Sequence, residues 1–190
     1  MNVLVTGFEP FGENTTNVTE KLVDSLPEQL ENIRIFTKVL PVVFYSSSAI
    51  IMELIRKVSP EIIISLGLAA KSDSIRIETV AKNINSARIM DNEGNNPQNE
   101  KIDPHGEEFF PASLPAPRIF SRLKRSGFPV TLSQSAGSYV CNHVFYTVMN
   151  YIYATAPDIA GGFIHYPSEA VLPFHEQQKS LFLILRSIAG

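Results

Sequence analysis

An α/β fold, with a mostly parallel sheet covered by helices on both faces, is predicted by two features of the pattern and one of the composition. Short β-branched runs alternate with amphipathic stripes, as repeated strand–helix units require. The runs are apolar along their length, the mark of strands buried on both sides. At 190 residues and 44% hydrophobic content the chain can bury one substantial core, and residues 1–190 are read as one domain.

Asn2 to Thr6 reads as the first strand, and Thr19 to Leu26 as a helix after a turn. Ile33 to Val39 is the second strand. Tyr45 to Val58 carries Ile51, Leu54, Ile55 and Val58 on one helical stripe, with Glu53, Arg56 and Lys57 outside it. Ile62 to Leu66 follows as a buried strand. The rhythm breaks between Ile75 and about Ala116: Ile75 to Ala81 alternates like an exposed or edge strand, and Asp91 to Pro97 is dense in turn residues. A long irregular insertion in a compact domain is usually functional or a subunit contact. Phe110 to Pro117, with its three prolines, reads as a rigid connector. A helix from Ile119 to Ser126, a strand from Val130 to Leu132, a helix from Cys141 to about Ala154, a strand from Gly161 to His165 and a helix from Phe174 to Ile188 complete the chain. Phe182 and Leu183 lie beyond that last helix's inward stripe, consistent with subunit contact or with ordinary packing.

Charge excludes several functions. Sixteen basic against 19 acidic residues give a net −3 with the signs interspersed, so no footprint for nucleic acid or an anionic membrane is visible. A small-molecule or peptide substrate is expected. No basic, apolar and cleavable leader precedes the first strand and no apolar run suffices to span a bilayer, which predicts a cytoplasmic protein. The single cysteine rules out an intrachain disulfide and makes a zinc site improbable.

That cysteine, Cys141, falls where a strand gives way to a helix. There the unpaired N–H groups and the positive end of the helix dipole favour thiolate. Its stripe with Phe145, Val148, Met149 and Ile152 equally describes a small buried hydrophobe. His165 ends a strand, at the edge where open α/β sheets gather ligands, and Cys141 is expected at that same edge one strand earlier. Glu78, inside an apolar alternation, needs a partner: it orients His165, or it pairs with Arg76 or Arg88, or it faces solvent. His105, His143 and His175 lack metal-like spacing and are read as structural or solvent-facing. Phe8 and Phe11 flank a loop after the first strand that has no phosphate-binding lysine. They either anchor that loop or wall an apolar pocket.

These residues carry a resemblance. Val5-Thr6-Gly7-Phe8-Glu9-Pro10-Phe11-Gly12, Leu40-Pro41-Val42-Val43-Phe44, Gly67-Leu68-Ala69 and Ile77-Glu78 with Val80-Ala81 and Asn83 begin an ordered series. Ala87-Arg88-Ile89 with Asp91-Asn92-Glu93-Gly94, Ser135-Ala136-Gly137 with Cys141-Asn142, and Gly162-Phe163-Ile164-His165 complete it. The series resembles the pyroglutamyl peptidase type I family of cysteine peptidases, which remove N-terminal pyroglutamate. The resemblance implies a three-layer α/β/α sandwich, no cofactor and no metal, and homo-oligomers, often tetramers. It implies Cys141 as nucleophile, His165 as base and acid, Glu78 as orienting carboxylate and Arg88 near the oxyanion. Phe8, Phe11, Asn17, Leu68, Ile89, Tyr139 and Val140 would bind peptides that begin with pyroglutamate. Aromatic walls and neutral hydrogen bonds suit a flat lactam without a free amine.

The sequence departs from the family pattern at Val18, Thr79 and Met90, where proline, arginine and proline are usual, and at Glu13, usually glycine. Its C-terminal portion is short. These departures leave a second function class in view, a non-catalytic homologue binding peptides or a protein partner through the same pocket. A phosphate-handling enzyme lacks a basic cluster to support it.

Overall fold

Val3 to Phe8, Ile62 to Gly67 and Gly161 to Tyr166 are buried without interruption, so side chains on both faces of these strands need cover. A computed structural model describes residues 1–188 and supplies it. The elements run β1 (Asn2–Phe8), α1 (Val18–Asp24), β2 (Gln29–Leu30), β3 (Ile33–Leu40), α2 (Phe44–Val58), β4 (Ile62–Leu68) and β5 (Ile75–Glu78). There follow β6 (Val80–Lys82), β7 (Phe109–Pro111), α3 (Ala116–Arg125), β8 (Val130–Ser133), α4 (Val140–Thr155), β9 (Ala160–Tyr166) and α5 (Phe174–Ile188).

Seven strands form one sheet in the order β2-β3-β1-β4-β9-β5-β8, and β6 and β7 make a separate antiparallel pair. The strands β3, β1, β4 and β9 are mutually parallel. β5 runs against β9, and β8 runs with β5. Alternate side chains of one strand enter two separate cores. Val3 and Val5 share one core with Leu22 of α1, Ile119 of α3 and Leu181 of α5; Leu4 shares the other with Ile51 of α2 and Phe145 of α4. The result is an α/β/α sandwich. Fully buried side chains such as Phe145 and Phe163 each stabilise it by about 1.5–3 kcal/mol.

Three expectations change. The strand containing Glu78 is interior, since β9 and β8 flank β5 on either side. It is also shorter than the alternation suggested: Thr79 N and Oγ1 both donate to Ser133 O, and the chain then leaves the sheet for β6. The proline-rich connector contains β7 and the start of α3, where Pro117 needs no intrahelical donor partner. The cysteine helix does not follow the strand adjacent to β9 at a shared edge. β8 runs opposite to β9 with β5 between them, and residues 134–139, with Gly137 at φ 82°, turn the chain back to begin α4.

Candidate active site

The sheet register creates the first half of the site. Arg76 of β5 pairs with His165 of β9 and Glu78 with Phe163, so Arg76, Glu78 and His165 point from one face. The His165 ring donates from Nδ1 to Glu78 Oε1 at 2.9 Å, because an ionised carboxylate only accepts. Nε2 is thereby left as the ring's free nitrogen. Glu78 is fully buried, and burying a lone carboxylate is costly; Arg76 Nε, 3.2 Å from the same oxygen, offsets that cost. Arg76 is itself held by Ser133 Oγ at 2.6 Å and Ser135 O at 3.0 Å. The ring occupies space that a side chain on β4 would take: a Cβ at Gly67 would stand 2.9 Å from His165 Cδ2 and Nε2.

Cys141 supplies the second half. It is the second residue of α4, at the end of the stripe Phe145, Val148, Met149 and Ile152, whose members are all buried while Cys141 is half-buried. Its thiol therefore emerges from the core into a cleft of about 330 Å³, whose walls also include His165. Burial, followed by the charge of Glu78, pushes the thiol up to about 12, against the lowering influence of its own backbone N–H. This reverses the electrostatic expectation from the helix start. The burial that raises it outweighs the backbone N–H that lowers it, and the free thiol rests neutral. Among the described residues it makes no hydrogen bond to His165.

Loops close the remaining walls, and polar side chains fix the loops. Asn142, next to the thiol, accepts from Lys82 N at 3.0 Å and donates to Lys82 O and Ile84 O. His143 bonds Asn85 Oδ1 and Ser48 Oγ, each at 3.1 Å, and burial lowers it to about 4, so it is neutral and structural. Asp91 Oδ2 accepts from Phe44 N at the start of α2, while Oδ1 accepts from Glu93 N and Asn95 N. Burial alone would raise the Asp91 carboxyl; the Asn95 side chain and these backbone donors leave it lowered overall. Tyr139 donates to Met90 O at 3.0 Å and packs on Phe11 and Phe44.

The structure brings Phe11, Leu68, Arg88, Ile89 and Tyr139 to the cleft beside Cys141 and His165. It places three other candidates behind the wall. Phe8 is 2% exposed, in contact with the Phe163 ring, and so anchors its loop instead of sandwiching a ligand with Phe11. Asn17 caps α1 through Thr19 N and donates to Glu9 O, which occupies both ends of its amide. Val140 is fully buried in the α4 core. Arg76, Asn142, Asp91 and the stretch Ala136 to Ser138 contribute to the site without having been singled out for it. The cleft lining contains no aspartate or glutamate. No three His, Cys, Asp or Glu side chains converge as metal ligands among the described residues, and none of their helices is long and apolar enough to cross a membrane.

Comparison with known proteins places the chain in a family. Residues 1–180 match a family model described as pyroglutamyl peptidase. A pyrrolidone-carboxylate peptidase of Thermosipho melanesiensis is 45% identical over 88% of this chain and 83% of its own length. One from Bacillus velezensis is 43% identical over 94% and 82%. The crystal structure of pyroglutamyl peptidase I from Bacillus amyloliquefaciens superposes with a TM-score of 0.94 at 39% identity, covering 99% of this chain and 96% of that one. A mutant pyrrolidone carboxyl peptidase from Pyrococcus furiosus gives 0.96 at 30%, covering 100% and 98%.

Proposed function

The chain belongs to the pyroglutamyl peptidase family, and from that premise we propose that it hydrolyses the bond following an N-terminal pyroglutamate, with Cys141 as nucleophile, His165 as base and acid, and Glu78 as the group that orients His165. One observation carries the assignment: His165, held from behind by the buried Glu78, borders the same cleft as the chain's single thiol.

The first step transfers the thiol proton to His165 Nε2 as Sγ attacks the pyroglutamyl carbonyl. A thiol resting neutral makes this transfer part of the attack itself. The Sγ–C bond forms and the carbonyl electrons move to oxygen, where the first-turn backbone N–H groups of α4 and the Arg88 guanidinium stabilise the oxyanion. His165, now imidazolium stabilised by Glu78, protonates the leaving amine as the C–N bond breaks. Water, deprotonated by His165, then cleaves the thioester and releases pyroglutamate.

Substrate choice follows from the lining. Phe11, Tyr139, Leu68 and Ile89 offer apolar walls for a flat lactam. The absence of a lining carboxylate suits a blocked N-terminus, which has no ammonium to grip. The test is release of a fluorescent amine from its pyroglutamyl derivative. Wild type is expected to turn it over and Cys141→Ser to lose at least about 10³-fold in kcat/KM. A wild type inactive at micromolar enzyme, yet binding the derivative, would favour the non-catalytic peptide binder.

A further inference from the structure

Beyond His165 the cleft opens into a second lobe of about 580 Å³. Phe11, Leu68, Arg88 and His165 border both lobes. Cys141 and Tyr139 border the first alone, while Lys71 and Arg76 border the second alone. The proposed chemistry assigns a direction to this division. His165 protonates the amine that departs, so the peptide beyond the scissile bond must leave on the His165 side, away from Sγ.

The charge of the second lobe is one-sided. Lys71, Arg76 and Arg88 line it, and no aspartate or glutamate does. The Arg76 charge is engaged by Glu78. Lys71 and Arg88 are exposed and join no ion pair among the described residues. Asp73 does not border this lobe; it lines a neighbouring depression that Lys71 and Arg76 share. Lys71, and Arg88 in addition to its part at the oxyanion, thus bring charge without an ion-pair partner to the path of the leaving peptide.

We infer that the second lobe receives the leaving peptide and selects for a carboxylate on it, carried by an acidic side chain or by the C-terminus of a short peptide. This rests on the peptidase reading above and adds to it a preference downstream of pyroglutamate. Exposed cations act modestly and are screened by salt, so the expected discrimination is about fivefold, not orders of magnitude.

The experiment compares kcat/KM at low ionic strength for pyroglutamyl-Glu-Ala-amide, pyroglutamyl-Gln-Ala-amide and pyroglutamyl-Lys-Ala-amide, with a pyroglutamyl arylamide as reference. A fifth substrate, pyroglutamyl-Gln-Ala with a free C-terminus, separates a terminal carboxylate from a side-chain one. Wild type should prefer Glu over Gln by about fivefold and Gln over Lys by a similar factor. If the carboxylate is read at the terminus, the free acid should exceed its amide by that factor. The spread should collapse near about 0.5 M salt, where the screening length is a few ångströms. Lys71→Glu should abolish or invert the Glu-over-Lys order. Equal rates for all four peptides, with the arylamide still cleaved, would overturn the preference and leave the peptidase reading intact. So would a preference that neither salt nor Lys71→Glu changes. Failure to cleave any of the five would remove both.

Discussion

The two halves of the site are built by different means. His165 and Glu78 stand on neighbouring interior strands, and their contact is written into backbone register, with Gly67 on the next strand leaving room for the ring. Cys141 and the walls around it depend on the start of α4 and on segments outside the seven-stranded sheet, which Asn142, His143 and Asp91 tie down through side-chain hydrogen bonds. Proton transfer tolerates little positional error, and the sheet provides the required rigidity. Ligand recognition needs irregular shape, which loops provide. Changes to the sheet half should therefore appear in kcat, and changes to the loops around Cys141 in KM or in stability.

The largest effect is expected from Glu78→Gln. The amide keeps the shape, but its Oε1 acceptor or Nε2 donor lets His165 settle in the wrong tautomer, and the imidazolium of the transition state loses its counter-charge. The kcat of pyroglutamyl arylamide hydrolysis should fall about 10³–10⁴-fold with KM little altered. A loss confined to KM would remove Glu78 from the proton-handling half. Gly67→Ala should come next. Its Cβ would lie 2.7 Å from the Phe163 ring and 2.9 Å from His165, so the imidazole must shift. Displacement of this order costs about 10²-fold in kcat. An unchanged kcat in a folded Gly67→Ala protein would mean that the strand register does not set the ring's position.

The same division explains what the sequence made legible. Buried strands and the stripe under Cys141 were visible because apolar periodicity reports burial. His165 and Glu78 stood out as polar residues in apolar surroundings, and their 2.9 Å contact follows from neighbouring strands. Periodicity carries no strand direction, so the reversal of β5 and β8, and the turn at Gly137 it requires, were not visible. Nor could a pattern tell Phe8 from Phe11, since two similar rings, one ending β1 and one in the loop after it, divide between core and cleft only by tertiary packing. Arg76, read from the sequence as an alternative partner of Glu78, meets it together with His165. Thr79 stands where an arginine is usual beside the carboxylate, yet a cation reaches Glu78 from two positions earlier on the same strand face. The local pattern suggested a missing charge, and the pleat of β5 supplies one.

His143 tests the loop half alone and should affect turnover at neutral pH least. Its ring lies among Asn85 Oδ1, Ser48 Oγ and the rings of Phe44 and Tyr45, with no carboxylate to stabilise an imidazolium. The folded protein therefore holds it neutral down to about 4, while the unfolded chain takes up a proton near the ordinary histidine value of 6.5. A depressed folded pKa means that the unfolded state binds more protons between those limits. The associated stability is fully present above 6.5 and is lost as pH falls toward 4, by up to about 3 kcal/mol. Urea midpoints measured from pH 7 to 4 should fall along that window in wild type. In His143→Gln, whose amide can keep both hydrogen bonds without titrating, that part of the slope should vanish. If both proteins lose stability in parallel, the clamp behind Cys141 is not what acid releases, and the loops answer to another group.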